Sequence, residues 1–197
     1  RMALLAALAG VSVGAAARGT TPAIVAGGIL LFVLGLDLVE PLSQEIDHPD
    51  RTLGLPQTAG WIHGGLLIGP AVATVPFALI GAAACAAVAH DSAAAAFALA
   101  VPVALCGLTG AAFSTVRDQY DPMKVDTRSY ELVVPPEMAG FSDGFRMVWP
   151  VLVSWVGMLA VLAVRNRPEA GTVVRSLIGL VLWLTVARWW IVHRAEI

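Results

Sequence analysis

Apolar residues run along this chain in long stretches, at 2–17, 22–39, 60–89, 92–115, 147–164 and 171–192, and polar residues collect between them. A helix rises about 1.5 Å per residue, so about 20 apolar residues cross a hydrocarbon core of about 30 Å. All six stretches meet or approach that length. The pattern predicts an all-α fold: a polytopic membrane helix bundle of about six transmembrane helices, in one domain over 1–197, with polar loops at 40–59 and 116–146. The first stretch is short, as for a partly interfacial or trimmed helix. The third carries Gly69-Pro70 and Pro76, and a proline inside a helix removes a backbone hydrogen bond and clashes with the preceding turn, so a kink or break is expected there.

Composition agrees with the pattern. Of 197 residues, 58% are apolar and 13% charged, with a mean hydropathy of +0.79, against about a quarter charged in a soluble domain. The start at Arg1-Met2 shows no signal-peptide pattern and is consistent with a piece of a longer polypeptide. A net charge of −2 argues against nucleic acid as a partner, because phosphate binding needs a basic surface. With six spans, the N-terminus, the 40–59 and 116–146 loops and the C-terminus share one side. That side holds Arg1, Arg51, Arg117, Lys124, Arg128, Arg146, Arg188 and Arg194, against Arg18, Arg165, Arg167 and Arg175 on the other. The positive-inside rule then places both termini and both long loops in the cytoplasm; abundant alanine and eleven arginines among the twelve basic residues suggest a GC-rich bacterial genome, and so a plasma (inner) membrane location. Trp61, Trp149, Trp189 and Trp190 fall near span ends, where an interfacial aromatic belt sits.

The middles of the spans carry no charge. Asp37, His63 and Arg175 all lie within about a turn of a span end, which argues against a proton- or sodium-coupled transporter, because such proteins keep an ionisable group near mid-membrane. His63, His90 and His193 are likewise too terminal for haem ligation. Cys85 and Cys106 sit in apolar runs and read as small hydrophobes. Gly10-x-x-x-Gly14 and Gly65-x-x-x-Gly69 permit close helix approach, most simply within the bundle. No nucleophile elbow, phosphate-binding glycine loop or metal-ligand set is visible, so no catalytic residue, cofactor or metal is expected on this chain.

The segment EPLSQEIDHPDRTLGLPQ, residues 40 to 57, is the most informative polar stretch. Pro41 opens a short helix after Glu40, His48-Pro49 ends it, and Asp50 caps a second short turn that Gly54 stops. Glu45-x-x-His48 has the spacing of half a di-iron site, but the second pair and further glutamates are missing. His48-Pro49-Asp50 also occurs in J-domain co-chaperones, whose basic soluble helices are absent here. A plain solvated connection between two spans is the bland reading.

A span ending in Glu40, a short charged helix, Arg51-Thr52, then Leu55-Pro56 and a glycine-rich span resembles the coupling-helix region of ABC-2-type transporter permeases. DLVEPLSQEIDHPDR, residues 37 to 51, is also similar to ABC-permease-like membrane proteins of actinobacteria. The resemblance is motif-like over about 30–75 and topological elsewhere. It implies a permease coupled through residues 40–56 to a separate ATP-binding cassette subunit, which would bind ATP and magnesium and hydrolyse the nucleotide, with a second permease copy or half alongside. On that reading Glu40 and Arg51 frame the segment, Glu45, Asp47 and Asp50 face the ATPase, Leu42, Ile46 and Leu53 are apolar anchors, and Leu55-Pro56 leads into the next span. Family members often have re-entrant helices before the last span, whereas here only about Arg165 to Ala170 joins the last two.

The 116–146 loop is broken by Pro135-Pro136. Beyond it, Met138, Phe141 and Phe145 recur at three- and four-residue spacing and predict an amphipathic interfacial helix. The expected function is the membrane-spanning part of an ATP-driven transporter moving an amphiphilic or lipid-like substrate. The alternative is a non-transporting structural or assembly subunit of a larger membrane complex.

Overall fold

The computed structural model describes residues 1–48, 56–117, 148–167 and 169–194. Within them the chain is helical, with no strand. In chain order the helices are α1 (Met2–Ala17), α2 (Pro22–Leu38), α3 (Glu40–Asp47), α4 (Ala59–Leu66), α5 (Ile68–Val88) and, after a single tight turn at His90–Ser92, α6 (Ala93–Arg117). Next come α7 (Val148–Ser154), α8 (Val156–Asn166) and α9 (Ala170–Arg194).

Local sequence accounts for most of the boundaries. The α1–α2 turn needs a residue in the left-handed region, and Gly19 supplies it at φ 113; Pro22 then stands in the first turn of α2, where its missing N–H costs nothing. Thr58 caps α4, its Oγ1 accepting from the Trp61 N–H at 3.4 Å. The expected break in the third apolar stretch falls at Leu67. Pro70 lies four residues beyond Leu66, so its ring crowds that carbonyl and offers it no N–H.

α6 is the hub, packed by α2, α5, α8, α9 and the short α3. Much of this packing is backbone against backbone. A Cβ added at Gly35 of α2 would lie 2.7 Å from the Gly107 carbonyl oxygen of α6, and one at Gly107 would lie 2.6 Å from that of Leu31. α1 and α5 meet in the same way, with Gly10 directly against the Gly81 backbone and Gly14 against Val88 and Cys85. The Gly10-x-x-x-Gly14 pair thus packs within the bundle. Gly65 and Gly69, at the same spacing, have no atom within 4 Å of an added Cβ.

Three helices are long and apolar enough to cross a membrane: 59–88 (α4 with α5), 90–116 and 170–193. Two bent pairs, α2 with α3 at 55° and α7 with α8 at 41°, raise the number to five if each is one span. α1, with 16 residues, is shorter than the roughly 20 that a perpendicular crossing takes. The outward faces are apolar: on α9 alone Val174, Ile178, Val181, Leu182, Val186 and Trp189 are exposed. Contiguous surface of this kind is rare on soluble monomers and ordinary against lipid.

Four threonine hydroxyls inside these helices are satisfied locally. The hydroxyls of Thr74, Thr109, Thr115 and Thr185 each donate to the carbonyl four residues back, at 2.7–3.0 Å, which removes them as lining for an aqueous path.

Gly107→Ala should destabilise the purified protein by about 1–3 kcal/mol, since the α2 backbone cannot retreat from the added methyl without strain. Gly179→Ala, with open space at that position, should change stability by no more than about 0.5 kcal/mol. Thermal unfolding of the two variants in the same detergent checks both.

Candidate functional site

The polar end of the bundle is built from residues far apart in sequence. Arg1 Nη2 lies 3.1 Å from Asp37 Oδ1, which sets the start of α1 beside the end of α2. The Phe113 and Trp190 rings stack at 4.1 Å between centroids, bringing the ends of α6 and α9 together. Gly64 of α4 faces Val192 of α9. α3 rests on this platform, touching α2, α4 and α6. Trp61, Trp149 and Trp189, near the ends of α4, α7 and α9 that lie on this side, are exposed.

α3 is short, so its position depends on its anchors. The chain bends by 55° after α2, Val39 takes over the first carbonyl bonds, and the N–H groups of Leu42 and Ser43 donate to its oxygen at 2.9 and 3.2 Å. Leu42 is 0% exposed and Ile46 packs partly buried against the same core. Spaced four residues apart, they form the stripe that holds α3 to its own bundle. The outward face is polar: Glu40, Gln44, Asp47 and His48 are exposed, and Gln44 Nε2 donates to Glu40 Oε1 at 3.2 Å. At His48 the backbone turns extended (φ −133, ψ 62), as a residue before proline prefers.

The expected site residues are therefore placed unequally. Glu40 and Asp47 lie on the outer face, and Leu42 and Ile46 face inward as this chain's own anchors, leaving no Leu42 surface for a partner. Glu45 is half-buried, and its carboxylate is near enough to His63 of α4 to act on it electrostatically. Pro56 is exposed at the approach to α4. Asp50, Arg51, Leu53 and Leu55 lie outside the described residues, as do Met138, Phe141 and Phe145 of the expected interfacial helix.

Sequence reading missed two features. His63 of α4 is 4% exposed, and its Nδ1 has no hydrogen-bond partner among the described residues, so a polar ring is enclosed within the bundle. At the opposite end, Arg165 of α8 donates through Nη2 to the Gly19 carbonyl at 3.1 Å and through Nη1 to Thr21 Oγ1 at 3.4 Å. These partners are 144 and 146 residues away, and no spacing signal announces such a clamp. Among the described residues no three His, Cys, Asp or Glu side chains converge as a metal site would require.

No family model matches the chain, and no curated protein or solved structure matches it either.

Leu42→Ala should cost about 2–5 kcal/mol, the range for emptying a fully buried leucine site, and should loosen α3 before the rest of the bundle. A Cys introduced at the half-buried Ser43 should then react several-fold faster with a membrane-impermeant maleimide than in the Leu42 background. Equal rates would show that α3 is held by something other than its apolar stripe.

Proposed function

We propose that the chain is the membrane-spanning permease part of an ATP-driven transporter of the ABC-2 type, with α3 as the element gripped by a separate ATP-binding subunit. One observation carries the reading: a short helix, set at 55° to the helix before it, is locked to the bundle by Leu42 and presents Glu40, Gln44 and Asp47 outward. A nucleotide-driven partner can move membrane helices only through a rigid element that it holds. α3 meets that requirement because its apolar side is committed to the hub helix α6, so a push on its polar face is delivered to α6 rather than absorbed by a loose loop.

On this reading α1, α2, α4 with α5, α6, α7 with α8, and α9 are six spans in the plasma membrane. The platform end, with Arg1, α3 and the end of α9, is cytoplasmic on the positive-inside count over the full sequence. ATP and magnesium belong to the partner, and a second permease copy or half completes the assembly. The uncharged helix interiors favour an amphiphilic cargo over a small ion. Electrostatic complementarity at such a contact governs partner choice more than raw affinity, so the acidic face of α3 calls for a basic groove on the ATPase.

The test is co-purification of the tagged full-length protein in mild detergent. Glu40→Lys combined with Asp47→Lys should remove a stoichiometric ATP-binding subunit, and its vanadate-sensitive turnover, from the eluate while thermal unfolding of the membrane protein stays unchanged. Full retention of the ATPase by the doubly reversed variant would overturn the docking role of α3. A wild-type eluate holding a different membrane partner and no ATPase would favour the structural-subunit alternative.

A further inference from the structure

The close packing of the bundle is interrupted beside α1. Between α1, α2, α5, α6 and α8 lies a half-open cleft of about 90 Å³. It follows α1 from Ala6 to Ala17, a length of about 16 Å at helical rise. Its walls are largely hydrocarbon, with alanines on α1, α5 and α6 among larger aliphatic side chains, and with two polar side chains, Ser92 and Arg165. Interiors seldom leave gaps much larger than a water molecule, and water does not settle in an apolar cleft that lacks the roughly two to four polar partners it needs. Small side chains keep this space open beside the point where Gly10 of α1 meets the Gly81 backbone of α5.

Arg165 gives the cleft a chemical polarity. It lies at the end of the bundle where the α1–α2 turn and the α8–α9 junction meet. Its two hydrogen bonds go to the neutral Gly19 carbonyl and Thr21 hydroxyl, and no described carboxylate pairs with it. A guanidinium has five N–H donors in a planar fork, so several remain for a ligand. The surrounding end carries Arg18, Arg167 and Arg175 against Asp91 and Glu169, an excess of positive charge. A slender apolar slot ending at a cation with spare donors matches a molecule with one hydrocarbon chain and one anionic head.

We propose that this cleft binds a single-chain anionic amphiphile, with the chain along α1 and the head on Arg165. As a statement about cargo this rests on the transporter reading above; as a binding site it requires no ATPase.

The experiment uses the full chain reconstituted in phosphatidylcholine vesicles and palmitate carrying a mid-chain diazirine, with labelled residues mapped by mass spectrometry after photolysis. Label should concentrate on cleft residues of α1 and α6. Laurate should compete about tenfold better than dodecanol, the factor expected from a charge-assisted hydrogen bond. Ala96→Phe should fill the slot and remove the label. Arg165→Gln should erase the preference for laurate, and Arg165→Lys should retain part of it, a comparison that stands even if Ala96→Phe does not fold. Label confined to outward residues such as Val181 and Leu182 of α9, or equal competition by laurate and dodecanol in the unaltered protein, would overturn the site. Because no ATPase enters this assay, a failure here leaves the α3 co-purification result standing, and the reverse holds.

Discussion

Backbone contact at the hub helix is the constraint on which this architecture depends. In lipid there is no hydrophobic gain from bringing two apolar helices together, since acyl chains solvate leucine as well as leucine does. What remains is largely dispersion, which loses about a quarter to a half of its well across a gap of about 0.5–1 Å, so close approach is favoured. Gly35 against Gly107 and Gly10 against Gly81 supply that approach. With α6 fixed by α2 on one side and by α8 and α9 on others, the end of the bundle becomes a stable surface, and the eight-residue α3, too short to hold its own conformation in water, has something to rest on.

The two ends solve different problems. At the platform end an ion pair and a stacked aromatic pair set helix ends beside one another, and α3 offers an acidic face. At the other, a single arginine side chain ties α8 to the turn between α1 and α2 through neutral acceptors, so its charge is not cancelled where the cleft ends. Between them the threonine hydroxyls bend back onto their own helices. The charged side chains of the described helices thus gather toward the ends, and the middle is largely hydrocarbon.

The sequence made the helices legible because their signal is local. Hydropathy placed the apolar stretches within a few residues of the observed helices, Pro70 explains the break at Leu67, and His48-Pro49 explains why α3 stops where it does. What depends on three-dimensional company was less readable. Leu42 and Ile46 announce an amphipathic stripe, but nothing in their spacing says whether the stripe meets a partner or this chain's own α6. Gly10-Gly14 and Gly65-Gly69 are identical as patterns, yet one pair is pressed against another helix and the other faces open space. The Arg165 clamp and the neighbourhood of Glu45 and His63 join distant segments, and a single sequence carries no mark of such pairs.

The uneven placement of tryptophan has a further consequence. Of the six in the chain, Trp61, Trp149, Trp189 and Trp190 lie at the platform end, while Trp155 and Trp183 sit within the bundle with indole nitrogens that have no partner among the described residues. On the transmembrane reading proposed above, most of the indoles of the molecule would sit toward one leaflet. Without any added label, the molecule carries a native optical gauge of how deep, and at which face, that end rests in a bilayer.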